Sequence, residues 1–427
     1  MANETIFATA TAPGKSGVAV IRLSGAQSWN VVERLAGDIP VARTASLRTL
    51  RGDDGEVLDE ALVICFAERA SFTGEEAAEL QVHGSVAVIR AVLDAIGQTG
   101  LARPAAAGEF TRRALENDRL DLTQVQGLAD IIDAETELQR TMAMRVMRGE
   151  LSDRVLGWKA TLLRATALIE ATIDFADEDV PEDVSADVDA LLAELETSFR
   201  AELAGSDRRE RLRVGFDVAI IGEPNAGKSS LLNALAGSDV AIVTDRPGTT
   251  RDLIEKYINI NGLPINFIDT AGLRATTDPV ERIGVTKAMA RAETADLRVF
   301  LYDGLEQPNW PIAVEAEDIV LRSKSDLQPG ADISARTGEG LDDLISTMSA
   351  RLWQRDLGDG LIARKRDVEL VAEAQALIGK VRGSGGPFDE IAAEELRRAA
   401  RRLQAIIGGV EVEDVLGEIF SSFCIGK

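Results

Sequence analysis

The chain of 427 residues is 45% apolar and 28% charged, a balance that excludes long disorder, a collagenous repeat and a membrane-embedded protein. At the usual domain size it carries roughly two to four domains. Lys and Arg number 47 against 71 Asp and Glu, a formal net charge of −24. The surface therefore repels phosphate backbones on average, and any nucleic-acid contact needs a local basic patch or a partner protein. Two cysteines, Cys65 and Cys424, and one histidine, His83, exclude a disulfide framework and any site built on two histidines. A reducing cytoplasm is the expected compartment. The start lacks a basic stretch leading into an apolar run, and about 18 consecutive apolar residues occur nowhere, so neither export nor membrane spanning is expected.

In the first part, short β-rich runs mix with helical spacing. Val18-Ala-Val-Ile21 and Ala61-Leu-Val-Ile-Cys-Phe66 read as buried strands and 86–96 as a helix, which predicts an α+β domain over 1–118. From Leu122 the period is helical: Val125, Leu128, Ile131, Ile132 and Leu138 predict one apolar stripe. Further stripes run to about Leu203, interrupted by the acidic, Pro-containing stretch 174–183. After the basic Arg208, Arg209, Arg211 and Arg213, a new α/β pattern starts at Asp217-Val-Ala-Ile-Ile221 and runs to about Met348. Helical period returns at Val368 and passes through Leu396, Leu403, Ile406 and Ile407, then Val412, Val415, Leu416 and Ile419 to Phe423. The expected multidomain organisation is an N-terminal α+β domain (1–118), a helical domain in two parts (119–213 and 353–427), and an inserted α/β domain (214–352).

Gly222-Glu-Pro-Asn-Ala-Gly-Lys-Ser229 follows a predicted buried strand and precedes a helical Ser230 to Leu235. In that context backbone N–H groups wrap phosphates, Lys228 meets the outer phosphates and the Ser229 hydroxyl reaches Mg²⁺. Asn225, Ala226, Gly227 and Ser230 complete the candidate loop. Ile265-Asn-Phe-Ile-Asp269 is a strand ending in an acid, followed by Thr270-Ala271-Gly272. Asp269 is expected in the Mg²⁺ shell, with the Gly272 N–H towards the γ-phosphate. Between these motifs, Gly248-Thr249-Thr250-Arg251-Asp252 offers a further hydroxyl for the metal. Alone, that Thr pair would be an ordinary turn.

Base choice is expected from Lys324 and Asp326 in Arg322-Ser-Lys-Ser-Asp326, backed by Ser334-Ala335-Arg336. A carboxylate accepts from the two N–H donors on guanine's edge that adenine lacks, which favours GTP over ATP. The usual first residue of the motif is Asn, and Ser323 stands there. Its shorter side chain cannot make the same contacts, which predicts guanine choice retained with somewhat weaker affinity. Where Ras-like GTPases carry a water-orienting Gln the chain has Leu273. Arg246, Arg251, Arg274 and Arg282 lie in or near the loops, and for most of them a solvated surface charge is the plainer reading.

Beyond these motifs the chain carries Phe72-Thr-Gly-Glu75, Glu79-Leu-Gln-Val-His-Gly84, Gly108-Glu-Phe110, Asn117-Asp-Arg-Leu-Asp-Leu122 and a terminal Cys424-Ile-Gly-Lys427. In this combination it resembles the MnmE (TrmE) family of tRNA modification GTPases over essentially its whole length. Departures from the family pattern are Ser323 for Asn, Val82 and Ser85 for glycines, Arg119 for Lys, and a shortened stretch between Asp303 and Ser334. The resemblance implies a homodimer built on the N-terminal domains and a K⁺ ion in place of an arginine finger. Asn225 and the loop Thr244, Asp245, Arg246, Pro247, Gly248, Thr249 would hold that ion, Arg246 through its carbonyl. A cation there neutralises charge that develops in phosphoryl transfer. Mg²⁺ would take Ser229, Thr250 and Asp269, and Glu281 matches the family's water-orienting glutamate.

The same resemblance puts 5-formyl-tetrahydrofolate at Arg22, Glu79, Arg119 and Lys427. His83 reads as a satisfied structural histidine, and Cys424 is not assigned a catalytic role. The function implied is a K⁺-activated GTP hydrolase that, with the flavin-dependent partner MnmG, adds a carboxymethylaminomethyl or aminomethyl group at C5 of the wobble uridine of certain tRNAs. Gly-x-Gly-x-x-Gly after a strand is absent, so FAD belongs to the partner. Basic clusters at 208–213, 364–366 and 397–402 are candidates for tRNA or partner contact, with pairing to acids on neighbouring helices favoured for the last. Two rivals stay open: a regulatory GTPase switch in ribosome assembly, and a folate-dependent one-carbon enzyme with an allosteric G domain.

Overall fold

A computed structural model describes residues 4–174, 184–238, 241–244, 255–269, 289–353, 358–383, 388–408, 417 and 426. The chain divides into two compact units, 1–129 with 146–160 and 400–427, and 130–145 with 161–399.

The first unit is organised by a sheet of β1 (Thr5–Thr9), β2 (Ala19–Ser24), β3 (Ser46–Arg51), β4 (Val57–Phe66), β5 (Ala77–Val82) and β6 (Ala102–Pro104) in the order β3-β4-β5-β2-β1-β6. Neighbours are antiparallel except β1 and β6. Both predicted strands and the predicted helix are present. Alternation along the strands sends Ile21, Leu23, Val63, Cys65, Leu80 and Val82 to one face. There they pack on Val31, Val32 and Leu35 of α1 (Ser28–Ala36) and on Val92 and Ile96 of α2 (Val86–Gln98). Burying each of these side chains stabilises the fold by about 1.5–3 kcal/mol before entropy is counted. The Ser85 hydroxyl caps α2 by accepting from the Val88 amide.

Helices α3 (Glu109–Glu116), α4 (Leu122–Ile132), α5 (Glu137–Met147) and α6 (Glu150–Asp174) follow. The predicted stripe from Val125 to Leu138 does not form one buried face. Leu128 and Ile131 are half-buried and Ile132 is exposed, while Thr123, Gln126 and Gly127 join Val125 inside. The reason is a close backbone crossing: a Cβ on Gly127 would lie 2.5 Å from the Met147 amide nitrogen, so the smallest residue sets the contact face.

The second unit carries α7 (Ser185–Leu203), α8 (Ser206–Val214) and a sheet of β7 (Phe216–Gly222), β8 (Ala241–Thr244), β9 (Glu255–Ile260), β10 (Leu263–Asp269), β11 (Leu297–Tyr302) and β12 (Ile319–Arg322). The order is β12-β11-β7-β10-β9-β8. It is parallel from β12 to β10, with β9 and β8 antiparallel beyond. Val218 to Ile221 are buried throughout because both faces of β7 are covered. Val218 and Ile220 meet α9 (Lys228–Ala236) and α10 (Leu341–Leu352), whereas Ala219 and Ile221 meet Phe300, Ile268 and Ile312. Helices α11 (Lys365–Gly383) and α12 (Glu390–Ile407) follow.

Arg209, read from sequence as part of a basic cluster, is 1% exposed. Its guanidinium donates to the carbonyls of Ala204, Glu202 and Ile362. The buried Glu202 carboxylate accepts in turn from the amides of Leu361 and Ile362. A Cβ on Gly360 would lie 2.5 Å from the Arg209 guanidinium. Arg209 therefore closes a structural clasp and presents no charge to a ligand. Among the described residues no helix is long and apolar enough to cross a membrane.

Candidate nucleotide site and N-terminal cavity

Gly222 ends β7 where a Cβ would lie 2.2 Å from the Leu301 carbonyl, so only glycine lets β11 pass. The chain then turns through Asn225 (φ 69) and Gly227 (φ 97) into α9. Glycine suits that left-handed position, whereas Asn is the next most tolerant residue. The N-cap of α9 is Gly227, so the positive end of the helix dipole, at Lys228, Ser229 and Ser230, faces the loop with no N-cap side chain over it. Buried Lys228 donates to the carbonyls of Gly222 at 2.7 Å and Glu223 at 2.9 Å.

Of the residues expected to read the base, Ser323 touches this loop. Ser323 donates from its hydroxyl to the Ala226 carbonyl at 2.7 Å, in a buried position. Through this bond the 323–326 segment is tied to the loop between β7 and α9. Asp326 accepts from the buried Ser334 hydroxyl at 2.7 Å and has Arg336 at 3.7 Å. Ala335 packs on the sheet core. Thr244 ends β8, and Asp269 ends β10 opposite Ile220 of β7. Asp245, Arg246, Pro247, Gly248, Thr249, Thr250, Thr270, Ala271, Gly272 and Glu281 lie outside the described residues, as do the side chains of Thr244 and Asp269.

In the first unit, register pairs Arg22 of β2 with Glu79 of β5, and their side chains meet at 2.9 Å. The Arg22 guanidinium lies 5.6 Å from the Phe72 ring centre and 5.9 Å from that of Phe110, within cation–π range. A cavity of about 140 Å³ opens here, lined by Arg22, Ser24, Phe66, Phe72, Thr73 and Glu79 among others. Its 72–75 wall is pinned by polar contacts. Asn117 donates to the Thr73 carbonyl, Ser24 donates to Glu75, and Arg113 bridges Glu75 and Glu109. Gly74 (φ +82) brings the wall to the Arg119 side chain, whose Cγ would be 3.1 Å from an added Cβ.

Arg22 and Glu79 thus line the cavity, whereas Arg119 lies against Gly74 behind the 72–75 segment and is not part of the lining. Buried Gly426 (φ +105) lies against Thr9 and Ala10, where a Cβ would be 2.1 Å from the Thr9 carbonyl. Lys427 and Cys424 lie outside the described residues. Burial opposes ionisation of Glu109, but bonds from Arg103, the Ala106 amide and Arg113 bring its carboxyl down to about 2.

Arg113 escaped sequence reasoning, although its i, i+4 spacing from Glu109 on one helix was a usable signal. His83 pairs with Asp59 at 2.7 Å and needs no ligand to satisfy it. Cys65 is fully buried, and burial with the nearby Glu76 charge pushes its thiol up to about 11. The basic clusters meet acids: Arg211 with Asp296, Arg364 and Arg213 with Asp130, Arg366 with Asp367, Arg397 with Glu170 and Glu394, Arg398 with Glu395. Pairing, favoured for 397–402, extends to the other two clusters.

Two family models match the chain. One describes the GTP-binding protein TrmE N-terminus and covers residues 5–119. The other describes the MnmE helical domain and covers 122–424. The tRNA modification GTPase MnmE of Cereibacter sphaeroides is 52% identical over 99% of this chain and 100% of its own length. The chain belongs to the MnmE (TrmE) family. The MnmE of Roseobacter denitrificans is 48% identical, again over 99% of this chain and 100% of its own. The G domain of the T. maritima FeoB iron transporter is 25% identical over 32% of this chain and 98% of its own, at a TM-score of 0.24.

Proposed function

We propose that this chain hydrolyses GTP in tRNA modification, as the names of its full-length MnmE relatives say of them. The observation that carries the reading is the Ser323 hydroxyl on the Ala226 carbonyl. It ties the segment that carries Asp326 to the loop between β7 and α9, in a chain matched to MnmE over 99% of its length. In the finer form of the proposal, hydrolysis is K⁺-activated. Asn225, Thr244, Arg246 and Thr249 would hold K⁺; Ser229, Thr250 and Asp269 would hold Mg²⁺. These cations would supply charge against the phosphates, and Glu281 would orient the attacking water.

The cavity chemistry fits a folate-type ligand: a cation over two aromatic faces beside a carboxylate suits a flat heterocycle with acidic groups. Arg22, Glu79, Arg119 and Lys427 would hold it, and it would supply a one-carbon unit for C5 of the wobble uridine. A homodimer, the partner MnmG, a cytoplasmic site of action and domains at 1–118, 119–213, 214–352 and 353–427 complete the proposal. Analysis of wobble nucleosides in tRNA from cells lacking this protein tests the function, since unchanged nucleosides would overturn it. Steady-state hydrolysis in matched K⁺ and Na⁺ buffers tests the cation, with equal rates counting against it and an Asn225→Ala variant expected to lose the difference.

A further inference from the structure

We infer that Asp303 is a positioning residue for purine binding, acting by clamping the Lys324 ammonium. The inference rests on reading Lys324 and Asp326 as the base-contacting pair. Lys324 sits at φ 65, a conformation that a residue with a Cβ adopts only when its surroundings enforce it. The enforcement is visible on both sides. The Ser323 amide donates to the Tyr302 carbonyl at 2.7 Å, and the amides of Leu327 and Gln328 both donate to the Lys324 carbonyl at 2.9 Å. The lysine backbone is therefore fixed, while its four-carbon stem would retain large rotamer freedom if left alone.

Asp303 removes that freedom. Its carboxylate accepts from the Lys324 ammonium at 2.5 Å. Asp303 follows β11 directly and is itself held, because Gln328 donates from its side-chain amide to the Asp303 carbonyl at 2.8 Å. Gln328 in turn accepts from Arg322 at 2.8 Å. The ends of β11 and β12 are thus laced by Arg322, Gln328, Asp303 and Lys324. Both charges of the pair are about one-third exposed, so the bridge adds little to folding. Its effect falls on binding. A stem held at both ends is a pre-ordered apolar rail, and a purine ring packing on it immobilises nothing new. Guanine discrimination stays with Asp326, and turnover stays with the phosphate end.

The test is a double-mutant cycle on the full chain with fluorescent GDP and GTP analogues. Asp303→Asn is expected to weaken both by about 3- to 10-fold, with kcat at saturating GTP unchanged and ITP weakened by the same factor as GTP. Asp303→Glu, which keeps the charge, is expected to recover most of the loss. In a Lys324→Met background, Asp303→Asn is expected to change affinity less than about twofold, because the group it acts through is gone. Equal losses in both backgrounds would overturn the inference while leaving the base-site reading intact. A Lys324→Met variant that binds guanine nucleotides as the wild type does would overturn both. A fall in kcat for Asp303→Asn with affinity unchanged would also sink it.

Discussion

Arg113 joins three groups that sequence keeps far apart. Its guanidinium donates to Glu75 at 3.0 Å, to Glu109 at 2.9 Å and to the Glu4 carbonyl at 2.8 Å, with its side chain 8% exposed. Arg113→Met keeps the apolar stem and deletes the charge. Breaking a buried ion pair from one side costs about 3–5 kcal/mol, because the remaining charge is left desolvated. Here Glu109 would keep Arg103 at 2.7 Å and Glu75 would keep the Ser24 hydroxyl at 2.6 Å, so the lower end, about 3 kcal/mol, is expected.

Native-state amide exchange in β2 and β5, followed by mass spectrometry, reads this locally and avoids assuming that the whole chain unfolds in one step. A loss of about 3 kcal/mol corresponds to roughly 100-fold faster exchange. Adding Glu75→Gln and Glu109→Gln to the variant removes the uncompensated charges and is expected to restore more than half of the protection. The pH dependence has a fixed sign. Glu109 is held at about 2 against an ordinary 4.5, so its contribution is full above about 4.5 and is lost as pH falls towards 2. The cost of Arg113→Met therefore shrinks in acid. A variant whose exchange rises less than threefold at pH 7, or a triple variant as unprotected as the single, would refute the argument.

Asp367 has the opposite sign: burial pushes its carboxyl up to about 6 despite Arg366, Arg364 and Arg213. Its ionisation therefore costs stability as pH rises from the ordinary 3.8 through 6. Asp367→Asn is expected to gain about 2–3 kcal/mol at pH 7.5 and nothing near pH 4; thermal unfolding at both pH values checks this, and a gain that grows in acid counts against it. Glu281→Ala is expected to lower kcat at least about 100-fold while GTP affinity stays within threefold; nucleotide titration showing mainly a binding defect would remove its water-orienting role. Gly426→Ala, strained by φ +105 and by contact with the Thr9 carbonyl, is expected to abolish tRNA modification and 5-formyl-tetrahydrofolate binding with GTP hydrolysis retained. Loss of hydrolysis in a folded Gly426→Ala protein would show the tail acting on the nucleotide site instead.

What the sequence made legible was local. Val218 to Ile221 could be read as a strand covered on both faces because four consecutive apolar residues leave no polar side, and the glycines after it mark a loop with a single common use. The apolar run at Ala61 to Phe66 and the helical period at 86–96 were readable for the same reason. What stayed hidden depends on contacts between distant segments. Nothing near Arg209 in sequence distinguishes it from Arg208, Arg211 and Arg213, since its partners include the Ile362 carbonyl. Ile132 fits a helical stripe by spacing, but the close pass of Gly127 on Met147 turns the helix to another face. That Ser323 meets the Ala226 carbonyl could not be read from sequence, because the gap between them is a tertiary quantity.

The Arg209 and Glu202 clasp also bears on how the chain was assembled and how it can be taken apart. Arg209 and Ile362 stand 153 residues apart in sequence yet share a hydrogen bond, so the polypeptide leaves and returns through one gate. Closing so long a loop costs about 4–5 kcal/mol of chain entropy, and two buried side chains bound to main-chain groups offset much of it. The main chain from 209 to 362 therefore returns to its own starting point, and a single pair of buried side chains holds the two ends of that long loop together.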